Sequence, residues 1–200
     1  MLELGVLWAE WPAPLGSLSA PGWLDLLTGA EAEVALPPPD ALVRREVRGL
    51  LRQGGFSPSG RNKPCSEWIA GVASKGDFPR ISPAVDACNA ACLHGGLPIS
   101  TVDADRLVGA LRVDVAPVGS EYVFNRSGQV LRLAGLLCLF DQEGPCANAV
   151  KDAQRTKTDE GTVRTLSLVW GTRALPGKTE EIVGWYRGVM ERLGAEVALG

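Results

Sequence analysis

The sequence predicts an α+β fold, a mixed and largely antiparallel sheet with flanking helices. Three observations predict it. Between Asp40 and Gly96, apolar residues recur at helical spacing and the segments begin and end on capping residues. Beyond Asp103, short runs alternate apolar and polar residues between turn signals. Strands and helices do not alternate regularly, which sets aside the repeated βαβ pattern of a parallel sheet.

Residues 2–9, LELGVLWA, read as a strand stopped by Trp11-Pro-Ala-Pro14. From Gly16 onward, short apolar pieces mix with Gly and Pro and end on Pro37-Pro-Pro39, so residues 1–40 form an N-terminal strand and a Pro-rich segment. Asp40 is an N-cap for the helix that follows, whose apolar positions are Val43, Val47, Leu50 and Leu51 and whose end is Gly54-Gly55. Ser66–Ser74 reads as helix. Ser82 caps another, with Pro83 in its first turn and Gly95-Gly96 at its end. Strands are expected over Leu111–Val115, Glu121–Asn125, Gln129–Leu133, Leu136–Phe140 and Thr162–Trp170, with Ser127-Gly128 turning between the second and third. Lys178–Leu193 closes the chain as an amphipathic helix with Ile182, Trp185, Val189 and Leu193 on one side. The chain, residues 1–200, reads as one domain without internal repeats.

At 46% hydrophobic and 22% charged residues, the chain has the composition of a soluble globular protein with a sizeable core. No apolar run has the length of a bilayer span, and Glu3 and Glu10 interrupt any secretory leader, so a cytoplasmic location and no membrane partner are expected. Five scattered cysteines, an odd number, read as reduced thiols. The net charge of −3 opposes non-specific coating of nucleic acid, and no DNA partner is expected. The charge is unevenly spread. Residues 1–40 hold acids and no Lys or Arg, whereas Arg44, Arg45, Arg48, Arg52, Arg61 and Lys63 follow with Glu46 as the one acid among them. Arg44, Arg48 and Arg52 form one helical stripe. It reads either as a solvated face or, with Arg61-Asn-Lys63 close behind, as an edge contacting tRNA phosphates.

No dinucleotide, P-loop or Gly-x-Ser-x-Gly signature is present, and no cofactor is expected. With His94 the one histidine, no multi-histidine metal site can form, and no metal is expected. At a helix end, His94 reads as a surface cap on the dipole. Cys92 and Cys138 read as small buried hydrophobes, and the six tryptophans as packing residues. Lys151, Arg155 and Lys157 read as contacts for phosphate or a carboxylate, with an Asp152–Arg155 surface pair as the alternative for Arg155.

The most specific stretch is residues 81–109. It contains Val85-Asp86-Ala-Cys88-Asn89, then Gly96-Leu97-Pro98, then Asp103-Ala-Asp105, then Gly109. These elements, in this order and spacing, resemble the B3/4 domain of the phenylalanyl-tRNA synthetase beta subunit, here as a free-standing chain. The resemblance spans about residues 60–170 and takes in Gly144, Thr158, Thr162 and Arg164. It implies an editing module that hydrolyses the ester of a wrongly attached amino acid on tRNA. It also implies a pocket between Cys88, Ser100 and the segment Asp152 to Thr158. Ser100 stands where the family has a histidine, Cys88 where it has a threonine, and Pro79-Arg80 where it has an arginine-proline pair. The family's tyrosine-reading glutamate falls near Asp152 to Gln154. The resemblance thus makes Ser100, Cys88 and Asp152 the catalytic pocket candidates, and the basic residues Arg44, Arg48, Arg52, Arg61, Lys63 and Arg155, with Thr158, are the candidate substrate or tRNA contacts.

Asp86, Asn89, Asp103 and Gly109 read as holders of the fold, Asn89 by tying helix to loop through its amide and Asp103 and Asp105 by capping backbone N–H groups. Ester hydrolysis on charged tRNA requires no side-chain base if a held water and the ribose hydroxyl suffice. A covalent role for Cys88 lacks a partner histidine. The expected function is therefore hydrolysis of a mischarged aminoacyl-tRNA in trans. The alternatives are a non-catalytic RNA- or ligand-binding module on the same fold, and a hydrolase of small amino-acid derivatives. The chain has no room for an ATP-dependent ligase domain.

Overall fold

A computed structural model describes residues 1–200. Its frame is a four-stranded antiparallel sheet in the order β2-β8-β1-β9, where β1 is Leu2–Glu10, β2 Ile99–Asp103, β8 Arg164–Thr172 and β9 Glu196–Leu199. β1 pairs with β8 along its whole length, from Leu2 opposite Thr172 to Glu10 opposite Arg164. Between β2 and β8 the chain forms β3 (Arg112–Val115), β4 (Glu121–Val123), β5 (Val130–Arg132), β6 (Leu137–Asp141) and β7 (Gly144–Asn148). These make a three-stranded sheet, β3-β6-β7, and the β4–β5 hairpin. Every strand pairing is antiparallel. Five helices accompany the sheets: α1 (Gly22–Asp25), α2 (Ala41–Arg52), α3 (Cys65–Ala73), α4 (Pro83–Gly95) and α5 (Lys178–Arg192).

Along β2 and β8 the four-stranded sheet is buried on both faces, and strand alternation divides its side chains between two cores. Leu7, Ala9, Ile99 and Val169 face the helices, joining Val47, Ala91, Ile182, Tyr186 and Met190. Leu4, Val6, Val102, Leu166, Leu168 and Trp170 face the small sheets, joining Leu133, Leu136, Cys138 and Leu139. This explains why β8 shows little of the polar–apolar alternation of a surface strand. Thr165 and Ser167 sit in its buried helix-facing row, where Thr165 accepts from the Trp11 indole N–H at 3.0 Å. Ser167 lies 3.1 Å from the Tyr186 hydroxyl.

The helix boundaries follow from their caps. Asp40 accepts from the Val43 N–H, and Ser82 accepts from the Val85 N–H at 3.4 Å. Gly96, at φ 79°, ends α4 in the left-handed conformation that an L side chain resists. Asp86 is buried and holds the entry to α4, accepting from the Ile81 N–H and the Arg80 guanidinium, both at 2.8 Å. Asp103 caps the Asp105 N–H and accepts from the Thr162 hydroxyl. Gly109, at φ 68°, lies so close to the Gln142 side chain that a Cβ would collide with it.

Three sequence expectations change. His94 is not a surface cap: residues Gly22–Leu27 fold over the end of α4, leaving it 6% exposed, with Nε2–H donating to the Leu27 carbonyl and its ring edge-on to Trp185. Burial lowers its pKa, against an opposing rise from that hydrogen bond. The chain does not close on a helix, because α5 is followed by β9 against β1. Trp170 and Trp11 are core residues, but Trp68 is 47% exposed. No helix is long and apolar enough to cross a membrane.

Candidate functional site

β2 is an edge strand, and its free edge is covered by the segment after β7 rather than by another strand. Asn148, at the end of β7, shapes that segment. Its Oδ1 accepts from the Val150 and Lys151 N–H groups, at 2.8 and 3.0 Å. Tyr122 of β4 donates its hydroxyl to the Lys151 carbonyl at 2.5 Å, tying the hairpin to the same turn. Further along, Lys157 bridges to Val102 of β2, and its Nζ donates to the Phe124 carbonyl at 2.5 Å. The result is a cleft of about 470 Å³ with β2 at its base, α3 and α4 on one side and the hairpin on the other.

Two kinds of surface line this cleft. Val85, Ile99, Phe124 and Val150 supply apolar wall, with Trp68 at the edge. Arg61, Lys63, Lys151 and Lys157 supply four cations, against Asp152 as the one carboxyl. Arg61 and Lys63 make no ion pair. Lys151 lies 4.2 Å over the Phe124 ring. Desolvation lowers the Lys157 pKa. It also lowers that of Lys151, helped by repulsion from Arg61 and Lys157. The cations thus crowd one another without enough counter-charge, which is the electrostatic character of an anion-binding cleft.

Asp152 keeps some exposed surface, but its carboxyl sits deep. Desolvation raises its pKa to about 6, against the neighbouring Ser100 side chain, the Asn148 N–H that donates to its carboxylate at 3.2 Å, the nearby charge of Lys157 and the Thr101 backbone. An acid titrating near neutrality inside a cleft can take up and release a proton under ordinary conditions. Asn89 lines the same cleft, and its side-chain amide, with no hydrogen bond inside the protein, does not tie the helix to a loop.

The sequence-derived candidates separate into groups. Cys88, Asn89, Asp152, Arg61 and Lys63 all line the cleft. Ser100 lies beneath it, 1% exposed, donating to the Asn148 carbonyl and accepting from the Trp170 indole N–H, each at 3.0 Å. It therefore orients the floor and has no path to a substrate. Thr158 lines a neighbouring cleft beside Arg126 and Ser82, where Asp86, Asp159 and Glu160 make the surface mixed in charge. The stripe on α2 does not converge on the cleft. Arg48 forms a two-pronged pair with Glu67 of α3, at 2.5 and 2.7 Å, Arg44 lines a separate depression, and Arg52 is exposed at the end of α2.

Arg155 turns away from the cleft as well, and it does not pair with Asp152. Its guanidinium grips both oxygens of Asp141, at 2.6 and 2.8 Å, and reaches the Gly144 carbonyl. Burial would raise the Asp141 pKa, but the Arg155 pair and the Val108 and Glu143 N–H groups outweigh it and leave it lowered. Removing the guanidinium strands a buried carboxylate. Arg155→Ala is expected to cost about 2–3 kcal/mol in chemical denaturation, and to leave affinity for any cleft ligand unchanged. A loss of affinity at unchanged stability would contradict this placement.

Sequence reasoning did not assign Trp68, Phe124, Thr101 or Cys65 to the site. The one signal was Phe124-Asn125 just before a turn at Ser127-Gly128, an aromatic near a hairpin tip, and in the structure Phe124 is only partly buried against the core. No protein-family profile and no curated protein sequence matches the chain.

Proposed function

We propose that the cleft takes the aminoacylated 3′ end of a tRNA and that the protein hydrolyses the ester of a wrongly attached amino acid in trans. The observation that carries this reading is the charge of the cleft. Four cations face one near-neutral acid, in a chain whose net charge is −3. An acidic protein with one cationic cleft has concentrated its positive field where an anionic substrate would sit. The apolar wall suits an amino-acid side chain, the cations suit the flanking phosphates, and the volume falls in the usual range for small-ligand sites. The B3/4 resemblance of residues 81–109 supports the same reading, because Cys88 and Asn89 of that stretch line this cleft.

The chemistry follows from the groups present. Ionised Asp152 accepts a proton from the attacking water, then returns it to the departing ribose oxygen. The free Asn89 amide donates toward the ester carbonyl as negative charge develops there, with the cations adding to that stabilisation. Cys88 is not the nucleophile. Its Sγ points to the Ile99 carbonyl at 3.7 Å, and His94, the only histidine, is held inside the helical core by Leu27. One observation favours a binding module without turnover. Asp152 already accepts from Asn148, which ties up part of its capacity as a base.

The test is deacylation of a panel of mischarged tRNAs by the purified protein beside an Arg61→Glu, Lys63→Glu double variant. Hydrolysis of a subset, weakened at least about 10-fold in the variant, supports the proposal. Salt-sensitive tRNA binding without hydrolysis selects the binding module. If neither occurs, both readings fall.

A further inference from the structure

Three of the five cysteines, distant in sequence, converge on one atom. The Sγ atoms of Cys65, Cys88 and Cys92 lie 3.6, 3.7 and 3.9 Å from the Ile99 carbonyl oxygen. Cys65 begins α3, whereas Cys88 and Cys92 are successive turns of α4, and the two helices pack together. A carbonyl oxygen has two lone pairs, so three thiols oversubscribe it and crowd one another around a single acceptor. The Sγ atoms of Cys65 and Cys92, on different helices, both lie within 3.9 Å of that oxygen, which brings them near each other across the α3–α4 contact. Access differs sharply among them. Cys65 is partly exposed and lines the cleft, while Cys92 is 2% exposed. A partly open thiol backed by a buried one on a second helix is the arrangement of an attacking and a resolving cysteine.

We propose that Cys65 and Cys92 form a reversible dithiol–disulfide site in the cleft wall, with a hydroperoxide as oxidant. The Cys65 thiolate attacks the peroxide O–O bond, giving a sulfenic acid and, from hydrogen peroxide, water. The Cys92 sulfur then attacks the Cys65 sulfur, forming the S–S bond and releasing a second water. The two thiols together lose two electrons and two hydrogens, and the peroxide is reduced. Cys65 is the one of the pair that a peroxide can reach from the cleft, so it reacts first, and the sealed Cys92, whose pKa burial raises, reacts second. The bond pins α3 to α4 and withdraws the Cys65 sulfur from the cleft surface. Trp68, one turn along α3 at the cleft edge, moves with it.

The experiment treats the folded protein with hydrogen peroxide, blocks free thiols and digests with trypsin. The expected product joins residues 62–75 to residues 81–106, two hydrogens lighter than the sum of the two peptides. Fragmentation should place the bond at Cys92. The product should vanish in Cys65→Ser and Cys92→Ala, persist in Cys88→Ala, and be reversed by dithiothreitol. Tryptophan fluorescence should change and recover in parallel, and Trp68→Phe should abolish that change. A folded protein, checked by circular dichroism, that yields only sulfinic or sulfonic acids overturns the proposal. A bond that forms in Cys92→Ala overturns the pairing. Neither outcome depends on activity toward tRNA.

Discussion

Replacing Asp152 with Asn should lower ester hydrolysis by about 10²-fold or more, the usual loss when a general base is removed, while binding of uncharged tRNA stays within a few-fold. Wild-type activity should rise with pH through a midpoint near 6, the value to which burial lifts this carboxyl, and the variant should lose that limb. The same group carries a stability signature of defined sign. Its folded pKa stands above its unfolded value of 3.8. The protonated form is therefore favoured by the fold, its contribution is complete below pH 3.8, and it is lost as pH rises through about 6. Above that, the ionised carboxylate costs the fold about 2–3 kcal/mol. Denaturation of wild type and Asp152→Asn at pH 4 and pH 8 should show the variant gaining relative stability by roughly that amount at the higher pH. A constant difference between the two would mean that the carboxyl is not held out of water. A pH-independent activity would remove Asp152 from the chemistry.

Trp170→Ala should be the most damaging substitution to the fold, at about 3–5 kcal/mol. Trp170 is fully buried on the central strand β8, in the core between the four-stranded sheet and the small sheets. Its indole N–H also donates to Ser100, next to Asp152 on the cleft floor. The cavity left by alanine would therefore loosen the site and the core together. Trp170→Phe keeps most of the volume and removes the hydrogen bond, at an expected cost of about 1–2 kcal/mol. Urea unfolding measures both. If Phe and Ala cost the same, the hydrogen bond to Ser100 and not the volume would dominate. If both fell below about 1 kcal/mol, the sheet would not depend on this side chain.

The elements were legible in the sequence where local chemistry decides them. Asp40 and Ser82 cap the helices they were expected to cap, and Gly96 ends α4. β9 was not legible, because Glu196–Leu199 is four residues long and becomes a strand through pairing with Leu7–Glu10. His94 was misread for a related reason: nothing near it in sequence announces that Gly22–Leu27 covers the helix end. At the site, Cys88, Asp152, Arg61 and Lys63 could be gathered from the sequence, whereas Asn89 read as a holder of the fold and lines the cleft instead. The α2 arginines and Arg155 could not be told apart from them, since an arginine that neutralises a distant carboxylate has the same letter as one that waits for a ligand.

What the sequence determines by itself about this chain is its periodicities, its caps and turns, and the unequal distribution of its charge, all of which act over a few residues. The tertiary structure alone decides which charges are cancelled. Glu67 takes Arg48 and Asp141 takes Arg155, leaving Arg61, Lys63, Lys151 and Lys157 facing Asp152. It also decides that Asp152 titrates near 6, that Ser100 is sealed, and that three thiols share one carbonyl. The physical reason is that desolvation and pairing depend on separations through space of a few ångströms, between residues that the chain holds up to about a hundred positions apart.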